Sequence, residues 1–227
     1  MTKPKTKPST MKKTTAKKAA TPKKPSARKA AKTPPRVAKP RPLAYARMKA
    51  EKRPTAPGAA FGGGFYAGRQ IGPDGKTYAL IVAPKETGEK LNIQWKKSNT
   101  PTEGAMDLFD GLRNSAALNN ADHPAAQFCR SLSIGGFRDW HLPSLEDMAL
   151  LRRYFMPRFD PNWNPGQTKI DAFKESNAQA FEAGIYWTST QASAGCAWVQ
   201  GFDCGTQNCD GKYYRWRVRA VRKIILI

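Results

Sequence analysis

Gly135-Gly-Phe-Arg-Asp-Trp-His-Leu-Pro-Ser144 is the stretch on which the reading of the fold turns. Gly135-Gly136 ends one segment and Leu142-Pro143 opens the next. Ser144, with Asp147 three residues on, has the form of a helix N-cap. Two further motifs belong beside it, Tyr186-Trp-Thr-Ser-Thr190 and Arg217-Val-Arg-Ala-Val-Arg222. None of the three has the form of a catalytic signature. All read as scaffold, and the last two bracket a window, Gln191–Trp216, that reads as a binding surface.

Outward from Ser144, Leu145, Met148, Leu151 and Phe155 recur at helical spacing, with Leu150 and Tyr154 widening the stripe. Upstream, Thr102–Leu118 carries Ala105, Leu108, Phe109 and Leu112 at the same spacing and predicts another helix. His123–Leu132 predicts a short helix with Pro124 in its first turn. Lys169–Phe181 predicts a fourth, weaker one. Gln70–Ala83 reads as a β-hairpin turning at Pro73-Asp74-Gly75, and Leu91–Trp95 alternates as a strand does. From Gly184 onward the chain is rich in aromatic and β-branched residues, predicting strands at Ile185–Thr190, Ala197–Phe202 and Arg215–Ile227. Strands, then helices, then strands give an α+β class: helices packed on a mostly antiparallel sheet.

Charge separates the two ends of the chain. Residues 1–60 hold 19 Lys/Arg against the single acid Glu51, so +18 of the net +22 lies there. This stretch has ten of the 18 prolines and almost no large apolar residue before Leu43. It cannot bury enough surface to offset chain entropy, which predicts a disordered basic tail over 1–60. Residues 61–64, ending in three glycines, read as a hinge, and 65–227 as the folded domain. The Lys-Ala-Ala and Lys-Pro repeats resemble the tails of linker histones and bacterial histone-like proteins. They suit nonspecific nucleic acid or another polyanion by counterion release, or serve as a solvated linker or a dock for an acidic partner. No stretch of about 18 apolar residues spans a membrane. The basic N-terminus lacks the apolar region of a secretory signal, and its prolines argue against the amphipathic helix of a mitochondrial leader.

Nothing in the chain has the pattern of a cofactor or metal site. Cys196, Cys204 and Cys209 are separated by seven and four residues, not by the Cys-x-x-Cys spacing of zinc ligands, and no His lies near them. With Cys129 they are expected as free thiols, since no signal peptide marks a disulfide framework. Asp203 and Asp210 are too few carboxylates for calcium. Gly62–Gly64 lacks the Lys-Ser/Thr of a phosphate loop. Asp139 and His141 flank Trp140 without a partnered nucleophile, so His141 is expected to pack and His123 to start a helix. The expected class is therefore not an enzyme. Trp140, Tyr186 and Trp187 are expected in the core, Trp198 and Trp216 partly exposed.

The three motifs resemble the C-terminal domain of Legionella collagen-like proteins, the DUF1566 group. Phe65-Tyr-Ala-Gly-Arg69 and Tyr78-Ala-Leu-Ile-Val-Ala-Pro84 resemble its phage and prophage members. The resemblance spans about Phe65–Arg222 and implies a C-type lectin-like domain, in which a compact scaffold presents irregular loops on one face. Formylglycine-generating enzymes share that fold, but their cysteine-pair active site has no further counterpart here. Relatives include variable proteins of diversity-generating retroelements, some of them phage receptor-binding proteins, whose C-terminal codons are randomised at adenines. The residues such randomisation reaches include Gly195, Cys196, Gly201, Asp203, Cys204 and Asn208, and likewise Cys209, Asp210, Gly211, Tyr213, Tyr214 and Arg215. Trp198, Gln200, Gln207, Lys212 and Trp216 fall outside that set and are expected as frame, with Trp198 partly exposed among the contact residues. The plain alternative for the window is an ordinary polar, Gly-rich loop region. The resemblance implies a protein or glycan ligand on a cell surface. Without a signal, the compartments to consider are a virion, where two of the cysteines could pair, and the bacterial cytoplasm.

Overall fold

Two five-stranded sheets organise the described residues of the computed structural model, 44–158 and 166–227. The first runs in the order β1 (Ala46–Met48), β10 (Val221–Leu226), β4 (Thr77–Val82), β3 (Gly64–Ile71), β2 (Ala60–Phe61). The second runs β5 (Glu89–Gln94), β9 (Arg215–Arg219), β6 (Ile185–Gln191), β7 (Cys196–Gly201), β8 (Gln207–Gly211). Pairing is antiparallel except between β1 and β10 and between β6 and β9. The helices are α1 (Lys85–Gly88), α2 (Gly111–Ala117), α3 (Pro124–Ser131) and α4 (Leu145–Phe155). The α+β class expected from the order of elements is the one observed.

The scaffold motifs meet one another in space. His141 and Val221 exchange both backbone hydrogen bonds at 2.9 Å. Asp139 takes a bidentate pair from Arg222, at 2.5 Å from Nε and 2.9 Å from Nη2. The third guanidinium nitrogen of Arg222 donates to Gly62 O, and the group lies 3.7 Å from the Phe137 ring centre. Arg222 is nearly fully buried, so this planar fork of partners is what makes its charge tolerable there. The middle motif joins the network through β6. Trp187 Nε1 donates to Ile93 O, and Trp95 Nε1 donates to Thr188 O, which ties β6 to β5 across β9. Trp95, Trp140 and Trp187 all sit in one buried cluster.

Arg215–Ile227 was expected as one strand and is two. At Ala220 the N–H goes to Gly88 O and the C=O accepts from Ala83 N–H, both at 2.9 Å, and the chain passes from the second sheet to the first. Arg219 faces inward just before the break, with Nε on Ala83 O and both terminal nitrogens on Gln179. Burial pulls its pKa down to about 10.

Helix α4 begins as the sequence predicts. Ser144 Oγ accepts from Asp147 N–H, and Asp147 Oδ2 accepts from Ser144 N–H, a complete capping box. Asp147 also forms a fully buried ion pair with Lys223 of β10 at 2.9 Å and accepts from Gln70 Nε2. Helix α3 starts with Pro124 at its first position and His123 at its N-cap, both as expected.

Four expectations are corrected. The helix expected over Thr102–Leu118 is confined to α2. Asp107 Oδ1 takes the N–H groups of Phe109 and Asp110, and Asp110 caps Arg113 N–H, so side chains turn the backbone that helical bonds would have straightened. The helix expected over Lys169–Phe181 is a single 3-10 turn, Asp171–Phe173, and Ser176 has a left-handed φ of 70° that no helix continues through. The hinge expected at 61–64 is a tight hairpin turn between β2 and β3. Gly62 and Gly63 have φ of 56° and 84°, the signature of a two-residue turn that only residues tolerant of positive φ can make. The tail expected over 1–60 lies outside the described residues up to 43, but from Ala44 the chain is part of the domain. β1 pairs with β10, and Tyr45 hydroxyl donates to Asp110 Oδ1 at 2.5 Å. The Tyr45 ring meets Tyr78 and His141 edge-on. Composition missed this segment because its anchors are one tyrosine and backbone pairing rather than an apolar run.

The candidate ligand-binding face

The window Gln191–Trp216 is mostly strand rather than irregular loop. It forms the β6–β7–β8 meander and the turn into β9. β8 is the free edge of its sheet, and its ladder with β7 pairs Trp198 with Cys209 and Cys196 with Gly211. Alternation puts Cys196, Trp198 and Cys209 on one face, while Ala197 and Val199 point into the core.

The expected contact residues separate into two groups at opposite ends of β7. Gly195, Cys196, Asp210, Gly211, Tyr213, Tyr214 and Arg215 gather at the end where turns 192–195 and 212–214 lie side by side, joined by Lys212 N–H on Gly195 O. Gly201, Asp203 and Cys204 belong to the turn at the other end, some five residues or about 17 Å of strand away. Asn208 and Cys209 lie between them on the edge strand, both exposed. Gly201 is buried, and a Cβ there would stand 2.8 Å from Asp203 Oδ1, so it offers no surface to a ligand. Gln207, expected as frame, is exposed, whereas Gln200 is fully buried with its amide nitrogen on Gly201 O and Thr206 O.

The aromatic ladder is the main feature of the first group. Tyr213 and Tyr214 are 46% and 44% exposed, with ring centres 4.6 Å apart. Trp216 follows 6.0 Å from Tyr214, half-buried, with Nε1 donating to Asp210 Oδ2 at 2.8 Å. Gly211 gives the rings room, since a Cβ there would come within 2.9 Å of Tyr213. The backbone is fixed from the neighbouring strand by Gln94 Nε2 on Tyr213 O and Arg215 Nη1 on Asn92 O.

Between Gly211 and Tyr213 the chain turns one side chain inward. Lys212 is fully buried, and its ammonium donates to Gln191 Oε1 at 2.6 Å, Ala194 O at 2.7 Å and Thr100 O at 3.0 Å. It also lies 4.8 Å from the Trp95 ring centre. Lys96 adds a second ammonium on Thr100 O, Pro101 O and Thr102 Oγ1. Burial, then the Lys96 charge, pulls the Lys212 pKa down to about 8. Together these lysines hold the exposed loop 97–101 against turn 192–195, where Asn99 approaches Gly195. Sequence reasoning missed this loop as a wall of the face. No local pattern marked it, since Lys212 reaches Thr100 O from 112 positions away.

The four cysteines are free thiols. Cys129 is buried in the core, and Cys204 Sγ lies 3.0 Å from Thr206 Oγ1. Burial and the adjoining Cys196 raise the Cys209 pKa. Among the described residues, no cluster of three or more His, Cys, Asp or Glu side chains is arranged to hold a metal ion. Both histidines are built into the frame. His123 bridges Thr102 Oγ1 and Asn120 Oδ1, and His141 is fully buried with Nδ1 on Asp139 O. Burial lowers both pKa values to about 4. Among the described residues, no helix is long and apolar enough to cross a membrane.

No curated protein matches the chain. Residues 87–222 match the Lcl C-terminal domain, a span that takes in all three scaffold motifs and the aromatic face but begins after the β3–β4 hairpin. That family points to a binding, surface-type domain. The chain belongs to the Lcl C-terminal domain family.

Proposed function

We propose that the chain is a non-catalytic receptor- or ligand-binding protein of phage or prophage type, with a C-type lectin-like domain. Its recognition surface is the aromatic end of the second sheet: Tyr213, Tyr214 and Trp216 with Asp210, flanked by loop 97–101. The observation that carries this reading is the turn 212–214. It buries the lysine that fixes the turn and presents two adjacent tyrosines outward. Rigid aromatic side chains beside Gly, Asn and Asp supply large contact area at low entropic cost together with adaptable hydrogen bonding, which suits a protein or glycan ligand.

The edge strand and its turns are candidates for retroelement diversification. A reverse transcriptase gene nearby and a near-repeat of the codons for 191–222, differing at adenines, is the genomic observation that decides this. Binding is tested with the intact chain, a chain beginning at residue 44, and Tyr213→Ala/Tyr214→Ala, each assayed on host cells and on a glycan array. Recognition that survives removal of 1–43 and disappears in the double substitution supports the reading. A second reading rests on the 15 Lys/Arg and absence of acids in residues 1–43, which suit nonspecific DNA binding. It prevails if all binding is salt-labile and lost with those residues.

A further inference from the structure

A cleft of about 310 Å³ opens over the β-bulge of β3, on the sheet that does not carry the aromatic face. It is bounded by Arg53 and Thr55 from the segment after β1, by Tyr66 and Arg69 of β3, and by Tyr154 of α4. Its floor is Gly68, where the ladder to β4 slips a residue and the backbone has φ of 129°. A Cβ at Gly68 would come within 3.2 Å of the Tyr154 ring, so the glycine lets helix and bulge close up beneath the cleft.

The charge of this cleft is uncompensated. The two most deeply buried arginines of the fold are paired: Arg222 with Asp139, Arg219 with Glu89 and Gln179. Among the described residues, neither Arg53 nor Arg69 forms an ion pair with a carboxylate. Among the described residues, no acidic side chain lines the cleft. Arg53 is half-buried, donates one terminal nitrogen to Pro54 O, and has its Nε buried without an acceptor. Tyr66 is buried with its hydroxyl in contact with Arg53. A buried guanidinium donor left without an acceptor costs stability unless something binds there.

We infer that this cleft is a binding site for a phosphate group, inorganic or at the end of a small ester, held by Arg53 and Arg69 with the hydroxyls of Tyr66 and Tyr154 as further donors. Two unpaired guanidinium groups match a dianion, and donors arriving from a strand, a helix and the N-terminal segment suit a tetrahedral acceptor better than a planar carboxylate. The proposal is independent of the reading of the aromatic face.

Isothermal titration of the intact chain at fixed ionic strength tests it, with inorganic phosphate, glucose 6-phosphate and acetate as probes. One saturable phosphate site per chain is expected, with acetate much weaker. Arg69 is exposed, so Arg69→Gln should leave the thermal midpoint unchanged and weaken phosphate about tenfold or more. Tyr154→Phe keeps the ring on Gly68 and should weaken it severalfold. Tighter binding of glucose 6-phosphate than of inorganic phosphate assigns the site to an ester, and the reverse assigns it to the free ion. Equal titration of wild type and Arg69→Gln, which is what binding by the lysine-rich N-terminus alone produces, overturns the inference. So does acetate binding as tightly as phosphate.

Discussion

The buried pair Asp147–Lys223 joins α4 to the terminal strand, and its removal one partner at a time should be costly in a non-additive way. Both side chains are fully buried, with Nζ 2.9 Å from Oδ1. Asp147→Asn keeps the shape and the capping geometry but removes the charge. Lys223 is then left with Phe109 O and the Phe109 ring, whose centre is 3.4 Å from Nζ. Breaking one side of a buried pair costs roughly 3–5 kcal/mol, and the retained carbonyl and ring face put this case near about 3. Lys223→Met leaves the Asp147 carboxylate with Ser144 N–H, Gln70 Nε2 and the field of the α4 N-terminus, so its cost should be slightly smaller, about 2–3 kcal/mol. Independent effects would sum to roughly 5–6 kcal/mol; a true pair predicts that the double variant costs only about 3, a coupling of about 2–3. Urea unfolding at pH 7, with all four chains compared at the same slope, measures it. Additivity within about 0.5 kcal/mol, or a loss below about 1 for Asp147→Asn, would refute the reasoning.

Acid should destabilise the domain through His141. Its pKa is about 4 folded against about 6.5 unfolded, so the unfolded chain takes the proton first, and stability is lost as pH falls from about 6.5 to about 4. The loss from this residue is about 2 kcal/mol at pH 5, read from urea midpoints at pH 7 and 5, and His141→Asn should remove it; an unchanged pH slope would count against the assignment. Lys212→Met should cost only about 1–3 kcal/mol, because Thr100 O retains Lys96 Nζ and Gln191 Oε1 retains Thr102 N–H, leaving mainly Ala194 O unpartnered. Its clearest effect should be faster amide exchange in 192–196 and 212–214. Truncation before residue 44 should leave the thermal midpoint unchanged, whereas truncation before 61 should lower it by removing β1 and the Tyr45 anchor; equal midpoints would contradict the corrected boundary. A stability scan across 195–216 should find Asn208, Cys209, Tyr213 and Tyr214 tolerant within about 0.5 kcal/mol, and Gln200, Gly201 and Phe202 intolerant.

What was legible in the sequence follows from how local the determining physics is. The α4 start was readable because Ser144 and Asp147 complete their cap within four residues. The β3–β4 turn was readable because Asp74 takes Lys76 N–H and Gly75 supplies the positive φ. Thr102–Leu118 misled because periodicity at Ala105, Leu108 and Leu112 is only a pattern. Ala105 is buried outside any helix, its carbonyl accepting from Gln191 N–H, while Leu108 is half exposed. The division at Ala220 was invisible, since both halves read as strand and only the distant strands they pair with separate them. In the candidate site, residue types pointed to the window but not to its separation into two ends, because that depends on the length of β7. The inward turn of Lys212 was likewise hidden, as its three acceptors lie 18, 21 and 112 positions away, further along the chain than any local pattern reaches.

The bonds that hold the aromatic face explain how its outward side chains can vary without loss of the fold. Most acceptors beneath it are main-chain carbonyls: Ala194 O and Thr100 O for Lys212, Gly195 O for Lys212 N–H, Tyr213 O for Gln94, Trp198 O for Thr188 Oγ1. A carbonyl is present whatever residue bears it. Replacing Tyr213 therefore leaves the Gln94 bond intact, and replacing Trp198 leaves the Thr188 bond intact. The side-chain donors Lys212, Gln94 and Thr188, by contrast, must be kept. The exception is Asp210, which accepts from Trp216 through its side chain and so couples one surface position to another. Substitution at Asp210 releases the indole from its place beside Tyr214, whereas substitution at Tyr213 or Tyr214 changes only what the face presents. The frame of this face thus rests on these donors and the backbone, and not on its exposed side chains.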